Sequence, residues 1–378
     1  MPDWVCHSGR LRKTTMTENS PQPDSSGSCQ IRENIQRMKG YAPGEQPRVG
    51  KVIKLNTNEN PFPPSDKVVQ AIQQTATAAL QRYPDAFATP FRIAAAQHWG
   101  VEPEWILAGN GSDDLLTILT RTFVGENEKI RYPYPSYVLY RTLAEIQGAE
   151  YDEVLFRKDW TLGPEWTAPM DDLRLMFLPN PNSPSGTRFS KEQIRDWAYQ
   201  ITCPLVVDEA YADFSEESCV ELVRDCKNVI VTRTLSKSYG LAGLRFGYLV
   251  AQPELVTQLA KVKDSYNCDT LSIAAATAAL MDQDWLSQNL QSIQSNRELL
   301  SQGLAQCGFE VQPSDANFVW CTHPKQHHQT LYQQLKDQGI LVRYMDYPNW
   351  GDGLRISVGT SDQIQALLAV LQHLGVPS

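Results

Sequence analysis

Residues 233–247 read RTLSKSYGLAGLRFG, and the lysine in this stretch is the residue around which the rest of the chain can be interpreted. It follows Val229-Ile230-Val231-Thr232, a β-branched run that predicts a buried strand. Lys237 therefore lies where a strand opens into a loop, at the sheet edge where α/β enzymes bind ligands. Because its neighbours are small, Lys237 can be partly buried and act as a nucleophile. Taken alone, it could equally be an ordinary loop lysine.

Two earlier strand ends also carry polar side chains. The apolar run before Asp208 predicts a buried strand, and Tyr211 follows three positions later. The strand predicted over residues 173–177 leads into LPNPNSPSGT at residues 178–187, a loop interrupted by prolines. Three successive strands thus end on an amide loop, an acid with a tyrosine, and a lysine.

This order of strand ends resembles the fold-type I pyridoxal-phosphate aminotransferases, from about residue 41 to the end of the chain. The resemblance implies an α/β fold, with a large cofactor-binding domain built on a mostly parallel sheet flanked by helices, and a small C-terminal α/β domain. We predict a disordered extension over 1–35, an arm with a substrate loop over 36–65, the large domain over 66–285 and the small domain over 286–378.

The resemblance also implies roles for the residues at the strand ends. Lys237 would form a Schiff base with pyridoxal 5'-phosphate and then move a proton. Asp208 would keep the ring nitrogen protonated, and Tyr211 would donate to the phenolic oxygen. Ser236 and Arg245 would complete the phosphate site, where Arg245 supplies a fixed positive charge.

A second phosphate-binding element is predicted at residues 109–116, GNGSDDLL, which follow a short strand. Ser112 is a good helix N-cap, and the amides of Gly111, Ser112 and Asp113 at such a helix start can bind a phosphate. A plain capped helix is the alternative. The pattern lacks the third glycine of a dinucleotide fingerprint, so we do not predict a nicotinamide site.

Two further motifs narrow the resemblance, NENP at residues 58–61 and RYPD at residues 82–85. They resemble the histidinol-phosphate aminotransferase family, in which the first loop lines the substrate site and the tyrosine of the second reaches the cofactor phosphate of the partner subunit. The resemblance implies that Asn58 and Tyr41 contact substrate and that Tyr83 is a cofactor ligand across a homodimer. A half-buried core tyrosine is the alternative for Tyr83.

The segment YPYPSYVLY at residues 132–140 is rich in tyrosine. By the same resemblance, Tyr137 stacks on the pyridine ring, which a large flat side chain can do at little entropic cost. We expect Tyr134 and Tyr140 to be packing residues.

The amide loop departs from the pattern of the family, which commonly has an asparagine before proline as the ligand of the phenolic oxygen. Here Ser183 occupies that position, and Asn182 precedes it. Either side chain could donate a hydrogen bond. We favour Asn182 as the cofactor ligand, because an amide reaches further than a hydroxyl.

Two arginines lie in the strands predicted for the small domain. Arg343 follows an apolar run, and Arg355 is flanked by apolar residues on both sides. A guanidinium fork in such a place suits a carboxylate or a phosphate. Arg355 resembles the residue that binds the α-carboxylate of glutamate, and the pair could also bind the phosphate of histidinol phosphate. A structural ion pair is the alternative for each arginine.

The composition excludes several other classes of protein. The 34 basic and 43 acidic residues give a net charge of −9, which argues against a nucleic-acid or anionic-membrane surface. No apolar run is long enough to span a membrane. The eight cysteines form no CxxC pair and favour a reducing, cytoplasmic location. The spacing of His323 and His327 lacks the context of a metal site, so we predict no metal.

These observations, with the resemblance, predict a homodimeric aminotransferase that converts L-histidinol phosphate and 2-oxoglutarate to imidazole acetol phosphate and L-glutamate, a step of histidine biosynthesis. An aromatic amino-acid aminotransferase and a threonine-phosphate decarboxylase are alternatives within the same fold. From other classes, a pyridoxal-phosphate-binding regulator would need a DNA-binding module, for which the first forty residues are too short and polar. A nicotinamide dehydrogenase is the remaining alternative.

Overall fold

A computed structural model of the protein describes residues 29–40, 44–46, 52–78 and 80–375. Its α-helices are α1 Glu33–Arg37, α2 Asp66–Ala78, α3 Thr89–Trp99, α4 Ser112–Phe123, α5 Leu139–Gln147, α6 Lys191–Gln200, α7 Leu222–Asp225, α8 Pro253–Leu259, α9 Thr270–Leu280, α10 Gln283–Gln306, α11 His328–Asp337 and α12 Ser361–His373. Its strands are β1 Ile53–Lys54, β2 Ile106–Gly109, β3 Lys129–Tyr134, β4 Glu150–Leu155, β5 Leu173–Pro179, β6 Leu205–Asp208, β7 Val229–Thr234, β8 Gly247–Val250, β9 Glu310–Val311, β10 Phe318–Thr322, β11 Ile340–Leu341, β12 Arg343–Tyr347 and β13 Gly351–Ser357.

A seven-stranded sheet forms the centre of the large domain, in the order β2-β8-β7-β6-β5-β3-β4. β8 is antiparallel to both of its neighbours, and the other pairs are parallel. The inner strands β6 and β7 are buried along their whole length, as their continuous apolar and β-branched sequence predicts for strands covered on both faces. The predicted fold class, fold type I with a mostly parallel sheet, is confirmed.

Separate hydrophobic clusters pack against the two faces of this sheet. One cluster contains Phe91, Trp166 and Phe246. The other contains Leu115 and Phe177. Because both faces are covered, the sheet opens to a ligand only at its edges, where the strands end.

The small domain is built on a four-stranded antiparallel sheet in the order β12-β13-β10-β9. Its core includes Ile356 from this sheet, Leu367 from α12 and Ile293 and Leu300 from α10. β1 pairs in parallel with β11, so the segment before the NENP motif is attached to this domain.

Helix α10 connects the two domains. Leu286, near its start, packs in the core of the large domain, whereas Ile293 packs in the core of the small one. The predicted boundary near residue 285 agrees with this arrangement and stays a prediction.

The predicted disordered extension needs one correction at its end. Its residues 1–28 lie outside the described residues, but α1 begins at Glu33, before the predicted limit of 35. The Asn34 amide donates to the carbonyl of Glu145 at 2.7 Å, which attaches this helix to the end of α5.

Within the described ranges, no helix is long and apolar enough to cross a membrane. The same residues contain no cluster of histidine, cysteine and acidic side chains that could hold a metal ion.

Candidate active site

The carboxyl ends of three parallel strands bring the predicted residues together. β5, β6 and β7 are neighbours, with Pro179 paired with Asp208, and Asp208 with Thr232. Their loops help to enclose a cavity of about 210 Å³. The residues that line it are Gly44, Asn56, Thr57, Asn58, Ser112, Asp113, Ser136, Tyr137, Val138, Tyr140, Pro179, Pro181, Ser183, Asp208, Ala210, Tyr211, Thr234, Ser236, Lys237, Arg245, Arg343, Met345, Tyr347 and Arg355.

Most of the predicted site residues are in this lining, which supports them as a group. Gly111, Asn182 and Tyr83 are not, and Tyr41 lies outside the described residues. The lining also includes Met345 and Tyr347, which sequence reasoning missed. They lie two and four residues after Arg343 on β12, and so on the same face of the strand. This period of two was the signal available in the sequence.

Lys237 is half-buried at the wall of the cavity. Its Nζ lies 3.4 Å from the carbonyl oxygen of Thr57 and 5.7 Å from the centre of the Tyr211 ring. The amide of Asn60 donates to the carbonyls of both Lys237 and Ser238, each at 3.0 Å. The backbone of the lysine loop is therefore held, whereas its amine faces the cavity as a nucleophile must.

Asp208 lies buried at the end of β6. Burial raises its pKa to about 6, although hydrogen bonds from Tyr140 and Thr232 lower it. The Tyr140 hydroxyl donates to Oδ2 at 2.7 Å, and the Thr232 hydroxyl donates to Oδ1 at 3.2 Å. A carboxylate in this position would be stabilised by a cation in the cavity, such as a protonated ring nitrogen.

Tyr140 is a packing residue, as expected, and it also forms a hydrogen bond that the sequence analysis did not predict. Its ring is fully buried and stacks on Phe177, with centroids 4.8 Å apart, as a packing residue would. Its hydroxyl, however, is a ligand of Asp208. Burial and the adjacent carboxylate hold the pKa of Tyr140 well above its usual value, so it remains a hydrogen-bond donor. No sequence pattern predicts this contact, because the two residues are 68 positions apart.

Tyr211 lies in the loop after β6, with its ring edge against Phe318 at 5.0 Å. Its hydroxyl accepts a hydrogen bond of 3.0 Å from the amide of Asn58. The predicted substrate contact Asn58 is thus bound to a predicted catalytic residue.

Positive charge and a helix start meet at one end of the cavity. The Arg245 guanidinium lies 3.1 Å from Asp113 Oδ2 and 3.4 Å from Ser236 Oγ. Tyr137 donates to the other oxygen of Asp113 at 3.1 Å. Because α4 begins at Ser112, the free backbone amides of its first turn and the cation can bind the same phosphate.

Two details of the predicted phosphate loop need correction. The N-cap of α4 is Gly111, and Ser112 is the first helical residue. The amide of Gly111 donates to the carbonyl of Gly109 at 2.9 Å and is not available to an anion. Gly111 has φ +82°, and a Cβ there would lie 2.8 Å from an Arg245 nitrogen, so its contribution is to let the arginine approach.

The geometry favours Ser183, the alternative, over Asn182 as the ligand of the phenolic oxygen. The Asn182 amide is fully buried and donates to the carbonyl of Pro135 and the hydroxyl of Ser185. Only Ser183 lines the cavity, where its hydroxyl accepts a hydrogen bond of 2.9 Å from Arg355. The choice of Asn182 is not supported, because its amide is used to bind Pro135 and Ser185.

The two predicted anion-binding arginines lie on adjacent strands. Arg343 on β12 is directly opposite Arg355 on β13, and both line the cavity. Besides its bond to Ser183, Arg355 donates to the carbonyl of Asn56 at 3.2 Å. Both of these acceptors are uncharged.

Tyr83 lies on the surface, 81% exposed, and its ring stacks on that of Tyr266 at 4.7 Å. The alternative of a core tyrosine is therefore wrong. Tyr83 does not reach the cavity of its own chain, which is compatible with a role in the site of a second copy.

A family model for aminotransferases of class I and II matches residues 50–371. The chain belongs to this family. It is 58% identical over 345 residues to the histidinol-phosphate aminotransferase of Rhodopirellula baltica, covering 91% of this chain and 95% of that protein. It is 45% identical over 346 residues to the enzyme of the same name from Geotalea daltonii, covering 91% and 99%.

Solved structures agree with the assignment of this chain to the class I and II aminotransferases. The histidinol-phosphate aminotransferase of Sinorhizobium meliloti, in complex with pyridoxal-5'-phosphate, superimposes with a TM-score of 0.81 at 26% identity. The alignment covers 92% of this chain and 99% of that one. The protein described here is a pyridoxal-phosphate-dependent aminotransferase.

The cavity of this aminotransferase fits pyridoxal phosphate. The helix start at Ser112, together with Arg245, suits the phosphate, and the carboxylate of Asp208 suits a protonated ring nitrogen. Lys237 offers an amine in the same cavity for the aldehyde. The donor and acceptor types therefore match the three polar ends of the cofactor.

Proposed function

We propose that this aminotransferase transfers an amino group between L-histidinol phosphate and 2-oxoglutarate, giving imidazole acetol phosphate and L-glutamate, as a step of histidine biosynthesis. The names of the relatives support this choice of substrate. The observation that carries it is the pair of adjacent arginines, Arg343 and Arg355, in the wall of the cavity.

One anion site can serve both half-reactions. Histidinol phosphate has a phosphate where glutamate has its α-carboxylate, and each anion presents two oxygens that an arginine can bind with two hydrogen bonds. Two guanidinium groups side by side can match the larger charge of the phosphate. The substrate range would thus follow from the arginine pair.

When bound, pyridoxal phosphate supplies an electrophilic carbonyl carbon and a ring that accepts the electron pair of the substrate Cα–H bond. Lys237 Nζ takes the proton from Cα and returns it on the cofactor side. Asp208 holds the proton on the ring nitrogen, and the Tyr211 hydroxyl donates its proton toward the phenolic oxygen. Arg343 and Arg355 orient the substrate so that its Cα faces Lys237.

We also propose that the enzyme is a homodimer in which Tyr83 completes the phosphate site of the partner subunit. The exposed position of Tyr83, outside its own cavity, supports this arrangement. A cytoplasmic location is supported by the cysteines of the described ranges, all of which are free, six of them buried.

Parallel rate measurements test the substrate. Purified holoenzyme should transaminate histidinol phosphate with a kcat/KM at least about a hundredfold above that for phenylalanine. The carboxylate of phenylalanine carries one negative charge, whereas a phosphate can carry two. A preference for phenylalanine would assign an aromatic aminotransferase, and release of CO₂ from threonine phosphate would assign the decarboxylase. The holoenzyme should show an absorbance band of the cofactor that borohydride treatment removes. If this band were absent, the whole scheme would be contradicted.

A further inference from the structure

Asn58 lies at the cavity wall, but its backbone and both ends of its side-chain amide form hydrogen bonds with protein groups. Its side chain and backbone are 1% exposed. Its backbone amide donates to the Ser357 hydroxyl at 2.8 Å, and its carbonyl accepts from the Asn317 amide at 3.0 Å. Its side-chain Oδ1 accepts from the Ser357 hydroxyl at 3.1 Å, and its Nδ2 donates to the Tyr211 hydroxyl at 3.0 Å. A side chain with these hydrogen bonds is poorly placed to bind a substrate.

The backbone of Asn58 is in the left-handed region, with φ +55°. Asparagine tolerates this region better than most residues, but the conformation still costs free energy. It persists where the surrounding contacts hold it, and here they come from Ser357 and Asn317. The small domain therefore fixes the direction in which Asn58 points.

The orientation of the Asn58 amide follows from the hydrogens of Ser357. The Ser357 hydroxyl has one hydrogen and already accepts the backbone N–H of Asn58. Its hydrogen needs an acceptor, which Oδ1 of Asn58 provides. A rotated amide would present a second donor to Ser357 and leave that hydrogen without its acceptor. The Nδ2 group therefore faces Tyr211.

This orientation determines where the proton of Tyr211 points. A phenol has one hydrogen, which lies near the plane of the ring and has two preferred directions. Because the Tyr211 oxygen accepts an N–H from Asn58, its own hydrogen cannot point to that side. It points away from Asn58, toward the cavity that Tyr211 lines, where the phenolic oxygen of a bound cofactor would accept it.

Strand β13 carries both Arg355, which is predicted to bind the anion, and Ser357, which orients Asn58 toward Tyr211. Arg355 and Ser357 are two residues apart on β13 and so lie on one face of the strand. Substrate binding and the orientation of Tyr211 therefore depend on the same element of the small domain.

We propose that Asn58 is a positioning residue that acts through Tyr211, and that Ser357 holds Asn58 in its orientation. The inference rests on the proposed role of Tyr211. It replaces the expectation that Asn58 contacts the substrate.

The test compares Asn58→Gly, Tyr211→Phe and the double variant as holoenzymes. Glycine removes the amide and adopts φ +55° without strain, and Asn127→Gly is a matched control, since Asn127 is an exposed asparagine with φ +65°. Both single variants should raise the pH midpoint of the cofactor absorbance change, measured without substrate, by about one unit, because the phenolic oxygen loses its oriented donor. Asn127→Gly should leave the midpoint unchanged.

Activity supplies the second readout. Asn58→Gly should lower kcat about tenfold and change the KM for glutamate less than twofold. When Asn58→Gly is added to Tyr211→Phe, kcat should fall less than twofold further, because the two residues act through the same hydrogen bond. Ser357→Ala should shift the midpoint in the same direction and serves if Asn58→Gly does not fold. A raised KM without a spectral shift, or additive losses in the double variant, would overturn the inference. The spectral comparison needs no substrate, so a wrong choice of substrate in the proposed function would leave it intact.

Discussion

Arg343 and Arg355 are direct cross-strand neighbours that reach the same cavity. Like charges opposite each other on a sheet are destabilising, by about 0.2–1 kcal/mol for such a pair. An arrangement of this kind is maintained where an anion is bound between the charges. An anion bound between the two arginines would reduce their repulsion.

We predict that inorganic phosphate stabilises the holoenzyme through this pair. The cofactor fills its own phosphate site, so added phosphate reports on the arginines. Arg343→Gln should raise the melting temperature in phosphate-free buffer, since it removes the repulsion, and should reduce the further rise on adding phosphate. The measurement is thermal unfolding across a phosphate titration. Equal rises in both proteins would show that phosphate binds elsewhere.

Arg355→Lys should keep the charge but lose the fork. We expect kcat/KM to fall about 10- to 100-fold for both histidinol phosphate and glutamate, because the bidentate geometry is lost on each. Arg188→Lys is a control, since Arg188 forms ion pairs with Glu217 and Asp315 away from the cavity lining. Loss confined to one of the two substrates would contradict a shared anion site.

The amine of Lys237 is predicted to be indispensable. Lys237→Ala should lower turnover at least about a thousandfold, since the group that moves the proton is absent. The variant should still bind the cofactor, because Asp208 and Arg245 remain. Steady-state rates and equilibrium dialysis measure the two effects, and Lys263→Ala provides a control lysine outside the cavity lining.

The close approach of Arg245 to the phosphate loop gives a prediction for Gly111. In Gly111→Ala, the new Cβ would meet the guanidinium at 2.8 Å and the backbone would be strained at φ +82°. Displacement of the arginine should weaken cofactor binding about tenfold or more. Gly243→Ala is the matched control, because nothing lies within 4 Å of a Cβ at that position. Unchanged cofactor affinity in Gly111→Ala would show that Arg245 does not hold the phosphate.

The sequence was a better guide to which residues reach the site than to the contacts that each residue makes there. Lys237, Asp208 and Arg245 follow strand ends or loops whose location the apolar runs define, so the sheet brings them together. The direction of a side chain in an irregular loop has no such signal. Asn182 and Ser183 are adjacent, yet one binds its own loop and the other faces the cavity. Tyr140 and Asn58 likewise find their partners only through tertiary packing.

The buried carboxylate of Asp208 should make the stability of the apoprotein depend on pH. Its pKa in the folded protein, about 6, lies above the ordinary value of 3.8. The folded state therefore binds the proton more tightly, and this stabilisation, fully present below about pH 4, is lost as the pH rises through 6. The loss is about 3 kcal/mol. Urea unfolding of the apoprotein should show Asp208→Asn gaining stability relative to the wild type over this range.

Tyr140→Phe tests the hydrogen bond that opposes this shift. The Tyr140 hydroxyl lowers the pKa of Asp208, so its removal should raise that pKa further and move the loss of apoprotein stability to higher pH. Cofactor affinity at neutral pH should fall, because less of the carboxylate is ionised to hold the protonated ring nitrogen. Tyr199→Phe, an exposed tyrosine, is the control. If Tyr140→Phe left both the pH dependence of unfolding and the cofactor affinity unchanged, the hydroxyl would contribute only packing, as the sequence had suggested.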